Sequence, residues 1–291
     1  MASFDYDEFT GRNLGFVTAE QQALLRGGKV FVAGVGGMGG AAFLTLVRAG
    51  VGEVGIADID TFELSNLNRQ VVATLDTVDV DKAEASAALA RRINPEIKLA
   101  VFGSEWIDRL PKITANYPII INGTDDVKAT IALYRAAKVA KATVIDAYAA
   151  SLPSVYVVRP DDPRPESRLG YPTTDLSPDE ITEDIIDVCV QRELEYVLAN
   201  SSSRKYVDLA IAAEFAAGKR KRFSYAPMVI TTGNLMACEV LALLSGQNTR
   251  TDDRGYFFNP YTGRTERPSF APIAWFKTLV VRRFLKRLIA E

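Results

Sequence analysis

Five short apolar runs punctuate the first half of the chain: Lys29–Ala33, Glu53–Ala57, 97–102, 118–122 and 143–147. Each is continuous rather than alternating, which is the pattern of a strand buried on both faces of a parallel sheet. Between them, residues 38–49, 80–93 and Val127–Ala140 carry apolar side chains at helical spacing, and 19–25 reads as a further helix near the start. A sixth strand is predicted over 154–159, near a sheet edge. Beyond 160 the texture changes. A proline-rich loop leads into two helical patterns, 180–199 and 203–217. A late helix over 228–244 is apolar on most sides and therefore predicted to be buried. A hairpin is expected around 259–263.

This order predicts an α/β fold: a Rossmann-like doubly wound sheet, mostly parallel with antiparallel edge strands. Residues 1–291 are read as a single domain. Within it, 28–160 form the nucleotide-binding core and 161–222 a helical insertion. Residues 223–291 supply the late core helix, the hairpin and a basic amphipathic C-terminal helix. In that last helix Phe276, Val280, Phe284 and Leu288 recur on one side, with Lys277, Arg282, Arg283, Lys286 and Arg287 around them. Docking on the body is preferred for it over a second subunit or an anionic membrane.

The first strand runs into Gly34-Val35-Gly36-Gly37-Met38-Gly39, matching G-x-G-x-x-G. Glycine permits the tight turn and the close approach of backbone to phosphate, and the following helix aims its first amides at that phosphate. Asp58 ends the second strand, 19 residues beyond Gly39, where a carboxylate suits ribose hydroxyls. The next loop is crowded with polar groups: Glu63, Ser65, Asn66, Asn68, Arg69 and Gln70. Hydride transfer develops no large phosphate charge, so a dehydrogenase has no need of this loop. An arginine here suits a triphosphate. Lys82 opens the next helix, where the dipole disfavours it, so a phosphate or a carboxylate partner is expected. The strand over 118–122 leads to Gly123-Thr124-Asp125-Asp126. One of these acids is expected to cap the following helix while the other faces a triphosphate through Mg²⁺. Arg12, read alone, is a solvated surface charge.

Composition subtracts more than it adds. The chain has 291 residues, 48% of them hydrophobic, enough for a large core, and a net charge of −2, which does not point to nucleic acid. No run of about 18 or more apolar residues is evident, so no spanning helix is expected, and the N-terminus lacks an apolar signal region. A cytoplasmic protein is the expectation. There is no histidine, and Cys189 and Cys238 are the only cysteines. Both are read as packing residues, Cys238 within the core. A Cys-only structural zinc site is thereby excluded.

Taken together, these stretches resemble the ThiF/MoeB/HesA family, bacterial relatives of ubiquitin-activating enzymes. The carriers are GRN at 11–13, GVGGMG at 34–39, ADID at 57–60, SNLNRQ at 65–70, Lys82 and GTDD at 123–126. The resemblance implies ATP-dependent adenylation of a carboxylate, with pyrophosphate released. The usual carboxylate is the C-terminus of a small ubiquitin-like or sulfur-carrier protein, and a precursor peptide is the alternative. It places Gly34, Gly36, Gly37, Gly39, Asp58, Asp60, Asn66, Arg69 and Lys82 around the nucleotide. It makes Asp125 the Mg²⁺ ligand, and Arg12, Arg69, Lys82 and Asp125 the catalytic groups. Arg12 would reach the site of the partner subunit in a homodimer.

Two departures stand out. The two C-x-x-C pairs that hold zinc in many members are absent, so no zinc is expected. No cysteine precedes the late helix, where the chain reads GKRKRFSYAP. A cysteine relay is therefore not expected, and the adenylate would pass directly to an outside nucleophile or be consumed in a dehydration or cyclisation. The insertion resembles a branch sometimes joined to nitroreductase-like domains. The competing readings are a non-catalytic nucleotide-binding scaffold and an NAD-dependent oxidoreductase.

Overall fold

The structure is a computed structural model, described here for residues 3–216, 219–220, 223–269 and 277–283. Its elements run α1 (Tyr6–Thr10), α2 (Ala19–Gly27), β1 (Lys29–Ala33), α3 (Gly37–Arg48), β2 (Glu53–Ala57), α4 (Lys82–Ile93), β3 (Lys98–Phe102), α5 (Leu110–Asn116), β4 (Ile119–Asn122), α6 (Val127–Ala140), β5 (Thr143–Asp146) and β6 (Ser154–Val158). They continue with α7 (Pro165–Leu169), α8 (Glu183–Asn200), α9 (Leu209–Ala216), α10 (Ala226–Leu244), β7 (Tyr256–Asn259) and β8 (Arg264–Glu266).

The strands form one sheet in the order β3-β2-β1-β4-β5-β6-β7-β8. β1 to β5 are parallel, and β6, β7 and β8 pair antiparallel. The strand order reverses between β1 and β4, and α/β sheets bind ligands in the crevice beyond such a switch point. Because alternate residues face opposite sides, β1 divides its side chains between two cores. Val30 and Val32 join α3, α4 and α10 on one face. Phe31 joins α5 and α6 on the other.

Several expectations change in detail. β6 is not near an edge, because the hairpin β7–β8 extends the sheet past it. Short helices α1, α5 and α7 were not anticipated, and the pattern over 203–217 splits into a 3-10 turn at Ser203–Tyr206 and α9. α10 buries Thr232, Gly233, Met236, Ala237, Glu239 and Val240, mostly against α3 and the sheet at β5 and β6. Its other face exposes Asn234 and Cys238, so Cys238 is not a core residue. By length and composition α10 would also suffice to cross a membrane, which the sequence reading did not anticipate.

The insertion is fastened to the body by charge and aromatic contacts. Glu166 of α7, buried, takes Arg135 of α6 at 2.7 Å. Arg168 packs against Tyr148, Tyr156 and Tyr196. In the described part of the C-terminal helix, residues 277–283, Arg282 donates to Glu195 of α8 at 2.8 Å. Phe276, Phe284, Lys286, Arg287 and Leu288 lie outside the described residues, as do Lys221 and Arg222 of the basic run after α9.

Candidate active site

The glycine turn is wedged between the ends of its two neighbouring strands. Gly34 adopts φ +81, and a Cβ there would lie 2.7 Å from the backbone of Gly123. A Cβ on Gly39 would lie 1.9 Å from the Gly34 carbonyl oxygen. Nothing larger than glycine fits either position. The Gly34 amide donates to Ala57 and the Gly123 amide to Ala33, each at 2.7 Å. Asp58 and the 123–126 loop therefore flank the turn on opposite sides.

Asp58 reaches back to hold the turn. Its Oδ2 accepts from the Val35 amide at 2.8 Å and its Oδ1 from the Asp60 amide at 3.0 Å. Burial pushes its carboxyl above the ordinary value, and these two amides oppose the shift only in part.

Lys82 finds a carboxylate. Its Nζ lies 2.8 Å from Asp60 Oδ2, and its backbone amide donates to the Asp60 carbonyl at 2.9 Å. The loop from 61 to 81 is pinched at its base by pairing of Thr61 with Asp81, which brings the two residues together. Asp81 caps α4 by accepting from Glu84. The Lys82 side chain is 9% exposed and that of Asp60 64%. Part of this pair is thus open to a ligand while the ammonium stays desolvated.

In the polar loop, Asn66 is buried and accepts from the Glu63 amide at 3.1 Å, so it shapes the loop. Arg69 is held by one nitrogen, Nη1, on the Ser65 carbonyl at 2.9 Å and on Asn68 Oδ1 at 2.8 Å. Gln70 is a residue to which the sequence reading assigned no role. It is buried, its Oε1 has no partner among the described residues, and a Cβ on Gly36 would sit 3.6 Å from its amide. An unpaired buried amide oxygen costs about 1–3 kcal/mol. Its place against the glycine turn is visible only once the loop is folded back.

The two acids of the 123–126 loop divide their work. Asp126 caps α6, accepting from the Ala129 amide at 2.8 Å. Asp125 is exposed and has no hydrogen bond or ion pair among the described residues. No group of three or more Asp, Glu, Cys or His side chains converges there to form a metal cluster. Mg²⁺ asks for less, since it takes one or two carboxylates and completes its shell with phosphates and water. A single free carboxylate at this position fits it.

Arg12 stands apart from all of these. It lies in a 3-10 turn, Gly11–Asn13, whose Asn13 donates to the Ala49 carbonyl just past α3. The glycine turn is at the other end of that helix, roughly 18 Å away for its 12 residues. Arg12 is exposed and cannot reach the cradle of its own chain.

Comparison with known proteins follows the same lines. Over 129 residues the chain is 33% identical to the adenylyltransferase and sulfurtransferase UBA4 of Candida albicans, covering 42% of this chain and 30% of that protein. It is 30% identical over 151 residues to the molybdopterin-synthase adenylyltransferase of Haemophilus influenzae, covering 50% and 62%. The match thus spans less than two thirds of either relative. Among solved structures, E. coli MccB in complex with AMPCPP and MccA superposes with a TM-score of 0.64 at 17% identity, over 90% of this chain and 72% of that one. PaaA gives 0.62 at 21%, over 91% and 83%. E. coli tRNA N6-threonylcarbamoyladenosine dehydratase, TcdA, with AMP gives 0.58 at 21%, over 84% and 98%. These share the fold. A model of the ThiF family matches residues 10–273, nearly the whole described body with its glycine turn, polar loop and 123–126 loop, and the chain belongs to that family.

Proposed function

We propose that this chain activates a carboxylate with ATP, forming an acyl-adenylate and releasing pyrophosphate. The observation that carries the reading is the free Asp125 beside a glycine turn, with the partly open Asp60–Lys82 pair and Arg69 on the other side. A dinucleotide site needs the turn and Asp58 but not a free carboxylate at the end of β4. Relatives named adenylyltransferases support the chemistry.

An oxygen of the substrate carboxylate attacks the α-phosphorus, the bond to the β-phosphate oxygen breaks, and pyrophosphate leaves with that electron pair. The nucleophile is ionised at neutral pH, so no general base is required, in keeping with a chain that has no histidine. What remains is alignment and neutralisation of charge. Gly34–Gly39 place backbone amides at the phosphates and Asp58 holds the ribose. Asn66, Arg69 and Lys82 supply donors to the phosphates. Mg²⁺, held by Asp125, would neutralise the departing pyrophosphate.

The substrate in this reading is the C-terminus of a small ubiquitin-like or sulfur-carrier protein, or a peptide. MccB crystallised with MccA supports the peptide form. Arg12 completes the site of a second copy in a homodimer, since its own cradle is a helix length away. The enzyme works in the cytoplasm, without zinc and without a cysteine relay. Cys189 is buried and its thiol is pushed up to about 11, a poor nucleophile at neutral pH. Cys238 is raised as well.

The test is exchange of labelled pyrophosphate into ATP in the presence of Mg²⁺ and candidate peptides. Exchange should depend on a carboxylate substrate and vanish in Arg69→Ala and Asp125→Ala while both variants remain folded. Undiminished exchange in both variants sinks the assignment.

A further inference from the structure

Asp146 ends β5, next to β4 at the carboxyl edge of the sheet. It is a buried carboxylate, and a buried charge persists only where donors satisfy it. Four do. Oδ2 accepts from Asn122 Nδ2 at 2.9 Å, Tyr134 Oη at 2.9 Å and Tyr156 Oη at 2.8 Å, and Oδ1 accepts from the Ala147 amide at 2.6 Å. Burial raises its carboxyl from the ordinary value, and the four donors oppose that shift. The guanidinium of Arg168, from the insertion, lies 5.0 Å from the centre of the Tyr156 ring.

Asn122 is the residue through which this matters. It is the last residue of β4, immediately before the Gly123–Asp126 loop. Its Nδ2 also donates to Thr130 Oγ1 of α6 at 3.2 Å, while its Oδ1 is buried with no partner among the described residues. The orientation of that amide is therefore set by its nitrogen alone. A carboxylate accepts and cannot donate, so Asp146 dictates which end of the amide faces it. Asn122 thereby ties the end of β4 to the first turn of α6 across the four loop residues, of which Gly123 is also held on the Ala33 carbonyl. Asp125 makes no side-chain hydrogen bond or ion pair among the described residues, so the backbone of its loop sets where its carboxylate points.

We infer that Asp146 is a positioning residue: through Asn122 it fixes the 123–126 loop and so the place of the Asp125 carboxylate. The link to catalysis rests on the adenylation reading above; the mechanical claim does not. Asp146→Asn removes the obligate acceptor at nearly constant volume. In pyrophosphate exchange it should lower kcat by about 10- to 100-fold and raise the Mg²⁺ concentration for half-maximal rate, with KM for ATP within about twofold of the parent. Tyr134→Phe and Tyr156→Phe each remove one donor to Asp146 but leave the Asn122 bond, and should lower kcat by no more than about threefold. Should Asp146→Asn fail to fold, Asn122→Ala cuts the same link from the other end and is expected to give the same kinetic signature.

Hydrogen exchange reads the mechanical claim without any activity. The amides of Gly123, Asp126, Ala129 and Thr130 should lose protection in Asp146→Asn while those of β1 and β2 keep theirs. If the parent shows no pyrophosphate exchange, the adenylation reading fails and this arm still decides the inference. Parent-like kcat and parent-like protection over 123–130 in a folded Asp146→Asn overturn it, as does an equal loss of protection across the whole sheet, which marks a purely structural acid.

Discussion

Around the glycine turn, Asp125 has no ion pair among the described residues, Arg69 is held by one nitrogen, and Asp60 leaves most of its side chain in solvent although Lys82 is bound to it. On the neighbouring strand end, Asp146 has both oxygens engaged, and Glu166 behind it takes Arg135, Arg164 and Thr173 within a 3% exposed side chain. Both regions lie beside the same sheet and use the same residue types. They differ in where the donors come from. Around Asp146 and Glu166 the chain supplies them, and each charge holds other parts of the chain in place. Around Asp125 the described residues supply none, and the proposed function leaves that charge for a ligand.

The sharpest way to break that contrast is to remove one acid from each region. Asp125→Ala should reduce pyrophosphate exchange by about 100- to 1,000-fold, and because the side chain is exposed and unpaired, the urea midpoint should hardly move. Glu166→Ala should do the reverse. It strands Arg135, which is a quarter exposed and keeps carbonyl partners on Thr173 and Leu176, so about 2–4 kcal/mol of stability should be lost. Exchange by the folded fraction should stay within about twofold. A stability loss in the first variant with an activity loss in the second would invert the comparison.

In the proposed homodimer, Arg12 extends the contrast to a second copy. Arg12→Ala should cost about 100-fold in exchange without loss of stability. Mixed with Asp125→Ala and allowed to exchange subunits, it should regain about a quarter of parent activity, because half the dimers then hold one intact site of two. No recovery, with mixed dimers demonstrated by native mass spectrometry, would place Arg12 outside the site.

How much of this was legible beforehand follows from the range of the interactions. β1, β2 and α6 are determined by local pattern and caps, and their expected bounds agree with the structure. The residues alone left the division between Asp125 and Asp126 open, because capping depends on the backbone of Asp126, which a sequence does not display; only the family resemblance singled out Asp125. Asp60 as the partner of Lys82 required the loop from 61 to 81 to close on itself. Gln70 stood in the SNLNRQ motif without a role, and Asp146 had no local signal: the first lies against Gly36 and the second is bonded, across two strand ends, to Asn122. The misplacement of Cys238 has a similar origin. The helix around it is apolar on most sides, but the side that carries Asn234 and Cys238 is left exposed.

Asp58 gives a smaller effect with a definite sign. Burial raises its carboxyl above the ordinary value of 3.8. Between 3.8 and the higher folded value the native state keeps a proton that the unfolded chain has released, so native stability falls as pH rises through that window. Asp58→Asn lacks this dependence. Urea midpoints measured from pH 3 upward should show the variant gaining on the parent as pH passes through the window and running parallel to it above. A constant difference at every pH would mean that Asp58 titrates normally in the fold. ATP protection of the parent, absent in the variant, ties the same strain to the ligand.

The smallest effects belong to the two cysteines, and they decide the second step. Cys189 sits in α8 with its side chain buried, and its thiol is raised to about 11, first by desolvation and then by the nearby Glu166 carboxylate. Less than one in a thousand such groups is ionised at pH 7, by the ordinary titration relation. Cys189→Ser should cost about 1 kcal/mol for burying a hydroxyl in place of a thiol, moderated by bonding to a carbonyl one turn back. Cys238→Ser, on the exposed face of α10, should be within about 0.5 kcal/mol of the parent. Both should retain full pyrophosphate exchange and full turnover with the carboxylate substrate. Exchange measures only the first step, so a cysteine relay would reveal itself as turnover lost with exchange preserved. Trapping under acid should then find the substrate bound to protein through a hydroxylamine-sensitive thioester in the parent and not in that variant. With Cys189 desolvated and the Cys238 thiol raised by burial and by the neighbouring Glu239 carboxylate, the expected outcome is an adenylate that leaves the site without ever forming that bond.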